Sequence, residues 1–199
     1  MPKAKVSSSA KIWIFWEDDW EEQDYNDTGQ QLTVNFKKRG TNDIFSVTAI
    51  YARCSALERF ELWESLEDIA GSMQKPWLVG GDFNTIRNDS EKLGGLPVTQ
   101  METIDFNQCI SSCALNEFSF KGSSYTWWNG RVETECIFER LDMNTSHMYK
   151  VIVELDVLAS LGHQRSWSKV IPEIIVKQVA SYPDRNEEHL RSLGFPIAT

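Results

Sequence analysis

Pro76-Trp77-Leu78-Val79-Gly80-Gly81-Asp82-Phe83-Asn84 is an apolar run that closes on two glycines, an aspartate and an asparagine. Read as a strand, its side chains alternate between faces, so Asp82 and Asn84, two apart, project on the same side. A carboxylate and a carboxamide side by side at a strand end can hold a water, a metal or a phosphate. The same two residues are also ordinary turn formers, and the run then reads as a strand entering a polar turn. Gly80 and Gly81 lack Cβ atoms and allow close approach of a neighbouring strand or ligand.

Upstream of this run, Leu62, Leu66, Ile69 and Met73 recur at helical spacing, and Pro76 ends the segment. Ser55-Ala56-Leu57-Glu58 fits a capping box at the start of that helix. Before it, Leu32, Val34 and Phe36 alternate with Thr33, Asn35 and Lys37, and residues 44–51 repeat the pattern. A polar stretch from Lys37 to Asp43 separates these two strands, so a hairpin is expected. Ile12-Trp13-Ile14-Phe15-Trp16 reads as a further strand, and the acidic run Glu17 to Asp24 as a solvated loop. Downstream, a polar loop from Thr85 to Pro97 leads to a second capping box, Thr99 to Glu102. Its helix carries Phe106, Cys109, Ile110, Cys113 and Ala114 on one side. Two short strand-like pieces follow, 117–120 and 125–128, split by Lys121 to Ser124. Adjacent strands look hairpin-connected, which favours an α+β layered fold with antiparallel or mixed sheets.

A chain of 199 residues with 41% hydrophobic and 12% aromatic content is long enough for one sizeable domain and argues against wholesale disorder. Its formal net charge of -9 argues against coating of nucleic acid by bulk electrostatics, while leaving room for a locally basic or metal-neutralised cleft. Cys54, Cys109, Cys113 and Cys136 form no Cys-x-x-Cys pair; Cys109 and Cys113 share a helix face as small buried hydrophobes. No apolar run is long enough to cross a bilayer and no signal-peptide core follows the N-terminus, so no membrane association is expected. The chain reads as intracellular and not secreted, with the nucleus left open.

Three separated segments reinforce one another: Val47-Thr48-Ala49-Ile50-Tyr51-Ala52; Gly80-Gly81-Asp82-Phe83-Asn84; and Tyr125-Thr126-Trp127-Trp128-Asn129-Gly130-Arg131 with Glu139-Arg140-Leu141-Asp142. In this order they resemble the endonuclease/exonuclease/phosphatase family, with its DNase I-like four-layer sandwich of mixed, largely antiparallel sheets. The wording between them, Glu91-Lys92-Leu93-Gly94-Gly95 and Cys136-Ile137-Phe138, is similar to the endonuclease region of plant LINE-type retrotransposon polyproteins. The resemblance covers residues 11–142 as a partial domain and leaves 143–199 as a divergent tail. It implies a Mg²⁺-dependent phosphodiesterase acting on DNA. Asp82 then resembles the aspartate that orients or deprotonates water near the Mg²⁺. Asn84 resembles the asparagine that holds the scissile phosphate or metal-bound solvent, so that both are metal-site candidates. Tyr51 resembles the phosphate-contacting tyrosine, against the alternative of a core aromatic with a hydrogen-bonded tip. Asp142 resembles the aspartate that orients the catalytic histidine. Trp127 and Trp128 either pack the core or form a wall against an unstacked nucleotide.

The pattern is broken at both ends. The family opens with a strand carrying an asparagine and another carrying a metal-binding glutamate; Lys11 to Trp16 matches a later strand, and no glutamate of the acidic run takes that place. The family closes on Ser-Asp-His, whereas His147, His163 and His189 are none of them preceded by Asp. Past Met143 the tail shows helical spacing at Val170, Ile174 and Val179, with Pro172 suited to a first turn. The resemblance therefore implies a fragment, inactive or impaired; the alternatives are a non-catalytic module binding protein or nucleic acid, and a phosphatase acting on a small molecule.

Overall fold

The computed structural model describes residues 3–117, 124–147, 165–171 and 174–178. A six-stranded sheet forms the middle of the molecule. Its strands are β3 (Trp20–Asp27), β4 (Gln31–Lys38), β5 (Ile44–Tyr51), β6 (Trp77–Asp82), β11 (Asp142–His147) and β8 (Asn116–Glu117), in the order β3-β4-β5-β6-β11-β8. A four-stranded sheet is built from β1 (Lys3–Val6), β2 (Ile12–Trp16), β13 (Ile174–Gln178) and β12 (Arg165–Ile171), in that order. A small third sheet joins β7 (Lys92–Leu93), β10 (Phe138–Glu139) and β9 (Trp127–Trp128). The two helices are α1 (Ala56–Ser72) and α2 (Gln100–Ser112).

Alternation along the central strands sorts side chains into two cores. Val47 and Ala49 of β5, Leu78 of β6 and Leu32, Val34 and Phe36 of β4 meet Ile12, Ile14 and Trp16 of β2 between the two larger sheets. Ile50, Trp77, Val79 and Phe83 face the other way and pack on Leu62, Trp63 and Leu66 of α1 and Phe106, Cys109 and Ile110 of α2. Helices, six-stranded sheet and four-stranded sheet are thus stacked layers, an α+β arrangement with mixed sheets. Trp63, Phe83 and Phe106 interlock, with Phe106 5.2 Å from Trp63 and 5.0 Å from Phe83 between ring centroids.

The expected hairpin is present as β4 and β5, paired antiparallel from Gln31↔Ile50 to Lys37↔Ile44. One connection differs from the hairpin expectation: β5 and β6 are parallel, joined by α1. A parallel pair needs such a crossover because its strands run the same way. The acidic run is also not a simple loop, since Trp20 to Asp24 lie in β3 at the edge of the six-stranded sheet. Only Trp20 is buried there, edge-on to Phe45 at 4.6 Å. Glu22 pairs with Lys5 at 2.5 Å and Glu21 with Arg39 at 3.1 Å, so the charges are those an edge strand can carry outward.

The helix starts divide. At α2 the Thr99–Glu102 box forms: the Glu102 carboxylate accepts from the Thr99 N–H at 2.6 Å and its hydroxyl at 2.7 Å. These two bonds hold the Glu102 carboxyl below the usual carboxylate range. At α1, Ser55 makes no side-chain cap bond, contrary to expectation. Arg59 instead donates to the Arg53 and Cys54 carbonyls at 3.1 and 2.7 Å and organises that turn. The helical reading of the tail is corrected too, because Val170 lies in β12 and Ile174 in β13, and β13 pairs with β2 from Ile174↔Trp16 to Gln178↔Ile12. Pro172 and Val179 lie outside the described residues, as do His163, His189 and residues 118–123.

Trp77 anchors β6 beneath the helices. It is fully buried, and its indole N–H donates to the Thr48 hydroxyl at 2.8 Å. Thr48 in turn meets the Thr33 hydroxyl at 2.7 Å. Trp77→Ala is expected to cost about 3–5 kcal/mol through the cavity it leaves. Trp77→Phe, which keeps most of the volume but leaves Thr48 one donor short, is expected to cost about 1–2 kcal/mol. Urea unfolding of the two variants measures both.

Candidate functional site

The register of β6 brings three of the expected residues together. Tyr51 of β5 pairs with Asp82 in the parallel ladder, and Asp142 of β11 pairs with the same Asp82 in the antiparallel ladder. Residues opposite one another share a face, and neighbouring strands lie about 4.8 Å apart. Tyr51, Asp82 and Asp142 therefore form one row at one end of the sheet, on the side turned toward the four-stranded sheet. Asp82 is 6% exposed, whereas Tyr51, Asn84 and Asp142 are half-buried.

Asn84 joins this row by another route than the expected alternation. The strand ends at Asp82, and Asn84 takes a left-handed conformation at φ 49°. Its backbone N–H donates to Asp82 Oδ1 at 2.9 Å, and its carboxamide Nδ2 donates to the Ala52 carbonyl at 2.5 Å. The sequence is thus a strand end and a polar turn at once. Gly81, at φ 143°, takes a conformation open to glycine and strained for other residues.

Contacts from distant parts of the chain fix Asp142. The Thr126 hydroxyl accepts from the N–H groups of Leu141 and Asp142 at 3.0 and 3.2 Å. Just before it, Arg140 pairs with Glu91 at 3.2 Å and also with Glu117, and its N–H donates to the Glu91 carbonyl at 2.9 Å. Glu91 Oε2 accepts from the Arg87 N–H at 2.6 Å, and Arg87 Nε donates to Asn107 of α2 at 3.0 Å. This network ties the loop 87–91, α2 and the start of β11 into one unit. Nearby, Gly94 at φ 82° is required by close approach, since a Cβ there would come 2.1 Å from the Cys136 carbonyl oxygen. Sequence reading missed Thr126, Arg140 and Glu91 as positioning residues; their only signal was membership of the quoted motifs.

Trp127 and Trp128 are both half-buried, so neither is wholly core nor wholly free. Trp128 stacks on Phe138 with ring centroids 6.1 Å apart and donates its indole N–H to the Arg131 carbonyl at 3.0 Å. His147 lies at the opposite end of β11, paired with Trp77, where its Nδ1 sits 2.9 Å from the Cys113 carbonyl. It is not part of the row. The Cys109 thiol lies 4.0 Å from Cys113, and this contact together with burial pushes its pKa up, as for a packed, unreactive thiol.

Among the described residues, those present do not complete a Mg²⁺ site of the kind the resemblance implies. Among the described residues no group of three His, Cys, Asp or Glu converges to hold a metal. Asp82 Oδ1 accepts from the Asn84 N–H, and the Ala52 carbonyl orients the Asn84 carboxamide through its Nδ2. Glu21 and Glu22 pair with Lys37 and Phe36 of β4, which in turn face the start of β5, away from Tyr51.

The Arg140–Glu91 pair, with side chains 14% and 10% exposed, differs sharply from Arg131–Glu135, with side chains 66% and 70% exposed. Arg140→Ala leaves a largely buried carboxylate without its partner and is expected to cost about 2–4 kcal/mol. Arg131→Ala is expected to change stability by about 0.5 kcal/mol at most. Chemical denaturation of the two variants makes the comparison.

No protein-family model matches the sequence, and no curated protein does. Solved structures do match. The endonuclease domain of TRAS1, a telomere-specific non-LTR retrotransposon, superposes with a TM-score of 0.58 at 12% identity, covering 92% of this chain and 81% of that one. TDP2 from C. elegans gives 0.49 at 12% identity, over 90% of this chain and 59% of that one. The human Nocturnin catalytic domain gives 0.45 at 18% identity, over 84% and 62%. The chain thus spans less than two thirds of the last two. No described helix is long and apolar enough to cross a membrane. The chain has a DNase I-like fold.

Proposed function

We propose that this chain is a DNA-directed phosphodiesterase domain, derived from a retrotransposon endonuclease, whose catalytic apparatus is incomplete and whose turnover is severely impaired. The observation that carries the reading is the row Tyr51–Asp82–Asp142, with Asn84 beside it, at one end of a DNase I-like sheet. Its ordered motifs resemble plant LINE-type sequences, and the similarity of fold to the TRAS1 endonuclease domain supports the same origin.

Hydrolysis of a phosphodiester needs a water aligned with the leaving oxygen and charge stabilisation at the phosphoryl group. Asp82, buried at the strand end, is placed to orient that water and take its proton. The Tyr51 hydroxyl meets a phosphate oxygen, and Asn84 fixes the geometry of the turn that presents Asp82. Asp142 stands ready to orient a histidine, yet His147 is at the far end of its strand. The ancestral chemistry uses Mg²⁺, for which this donor set is incomplete. Catalytic groups that act as a unit fail together, so most of the rate is lost.

A second reading, a non-catalytic nucleic-acid-binding module, is favoured by the same gap in the donor set. Supercoiled-plasmid nicking separates the two. The proposal expects slow nicking in the presence of Mg²⁺ that a chelator removes and that Asp82→Ala lowers about a hundredfold further. Binding of DNA by folded protein without any nicking supports the module, and hydrolysis of small phosphomonoesters alone supports a phosphatase. Nicking unchanged by Asp82→Ala contradicts the assignment of the row.

A further inference from the structure

Three turns converge beside Tyr51 and are hydrogen-bonded to one another. In the first, joining β1 to β2, the Ile12 N–H donates to the Ser7 hydroxyl at 3.2 Å and the Ala10 N–H to the Ser7 carbonyl at 2.9 Å. Asp27, opening the second turn between β3 and β4, accepts from the N–H groups of Ser8 at 2.5 Å and Gly29 at 2.8 Å. Gln30 then links the second turn to the third. Its backbone carbonyl accepts from the Tyr51 N–H at 2.9 Å, its side-chain oxygen from the Arg53 N–H at 2.8 Å, and its Nε2 donates to the Glu58 carbonyl at 2.8 Å. Arg59 holds the Arg53 and Cys54 carbonyls from beneath. Backbone fixed this way presents its side chains without a large ordering cost when a ligand arrives.

Two cations stand on these turns. Lys11 is exposed, and its ammonium lies 4.8 Å from the centroid of the Tyr51 ring. Arg53, also exposed, follows Tyr51 by two residues. Neither side chain has a carboxylate partner among the described residues, which is true also of Lys37, Lys38 and Lys75 elsewhere on the surface, whereas Lys3, Lys5, Arg39, Arg87, Lys92, Arg131 and Arg140 are ion-paired. In a chain of net charge -9, uncommitted positive charge at the rim of a row holding two aspartates is what a polyanion would need in order to settle there. An ammonium 4.8 Å from the ring centroid stands on the same side chain whose hydroxyl would meet a phosphate, so both act on one stretch of backbone.

We propose that Lys11, held over Tyr51, and Arg53 on the adjoining turn form a phosphodiester-backbone clamp that supplies the cationic charge the incomplete metal donor set does not. This inference rests on the proposed phosphodiester site and adds to it the residues that hold the strand. It also makes binding, as distinct from cleavage, independent of divalent metal.

The test is equilibrium binding of a fluorescently labelled DNA duplex, followed by anisotropy in EDTA over a series of salt concentrations. Wild type is expected to bind in EDTA. Lys11→Gln is expected to weaken binding several-fold and to reduce the slope of log K against log salt by about 1, the signature of one lost phosphate contact. Arg53→Gln is expected to do the same, and Lys11→Arg to restore the wild-type slope. Lys37→Gln is the control, because the basic turn 37–39 lies at the other end of the sheet. An unchanged slope in Lys11→Gln, a loss confined to Lys37→Gln, or binding abolished by the chelator overturns the clamp while leaving the nuclease reading standing. Folded wild-type protein that binds no duplex at low salt overturns both.

Discussion

Everything at the candidate site depends on the double register of β6. This strand is paired parallel to β5 on one side and antiparallel to β11 on the other, and Asp82 is the residue at which the two ladders meet Tyr51 and Asp142. All six of its residues are buried, with Trp77 and Val79 committed to the helical core and Leu78 to the core between the sheets. Because side chains alternate, a slip of one residue would exchange these sets and cost both cores at once. The packing that stabilises the strand is therefore also what aims Asp82. Gly80 and Gly81 make the end of the strand narrow, and the left-handed Asn84 then turns the chain back against Ala52.

Much of the central sheet was legible because its strands obey simple alternation. Leu32, Val34 and Phe36, and Phe45, Val47 and Ala49, all enter the core between the sheets as their spacing requires. Both helices were marked by apolar spacing, and Thr99–Glu102 forms the bonds its pattern promises. The edge strand β3 was not legible. Its stabilising contacts, Glu22 with Lys5 and Glu21 with Arg39, are between residues distant in sequence, and charge patterning alone resembles that of a loop. Ser55 shows the converse failure, a local motif that is present but forms no cap bond, in a turn held instead by Arg59 from within the helix and by Gln30 from a distant strand end. In the tail, a helical spacing of a few apolar residues was overridden by pairing of β13 onto β2.

The site shows the same division. Tyr51, Asp82 and Asp142 could be picked out by motif, and the sheet brings them into one row. Thr126, Glu91, Arg140 and Lys11 could not, because each matters only through a partner far along the chain: Thr126 through the amides of Leu141 and Asp142, Glu91 through Arg140, Lys11 through the Tyr51 ring. What emerges is a strand end fixed by long-range contacts, on which the proposed site rests. The geometry of the row follows from the packing of β6 alone, whatever chemistry it serves.

The central claim is the row itself, and backbone NMR on isotopically labelled protein tests it most directly. Cross-strand NOEs should pair Asp142 with Asp82, Met143 with Gly81 and Tyr51 with Asp82, as the two ladders require. A register displaced by a single residue on either side of β6 would turn Asp142 or Tyr51 to the opposite face and contradict the account.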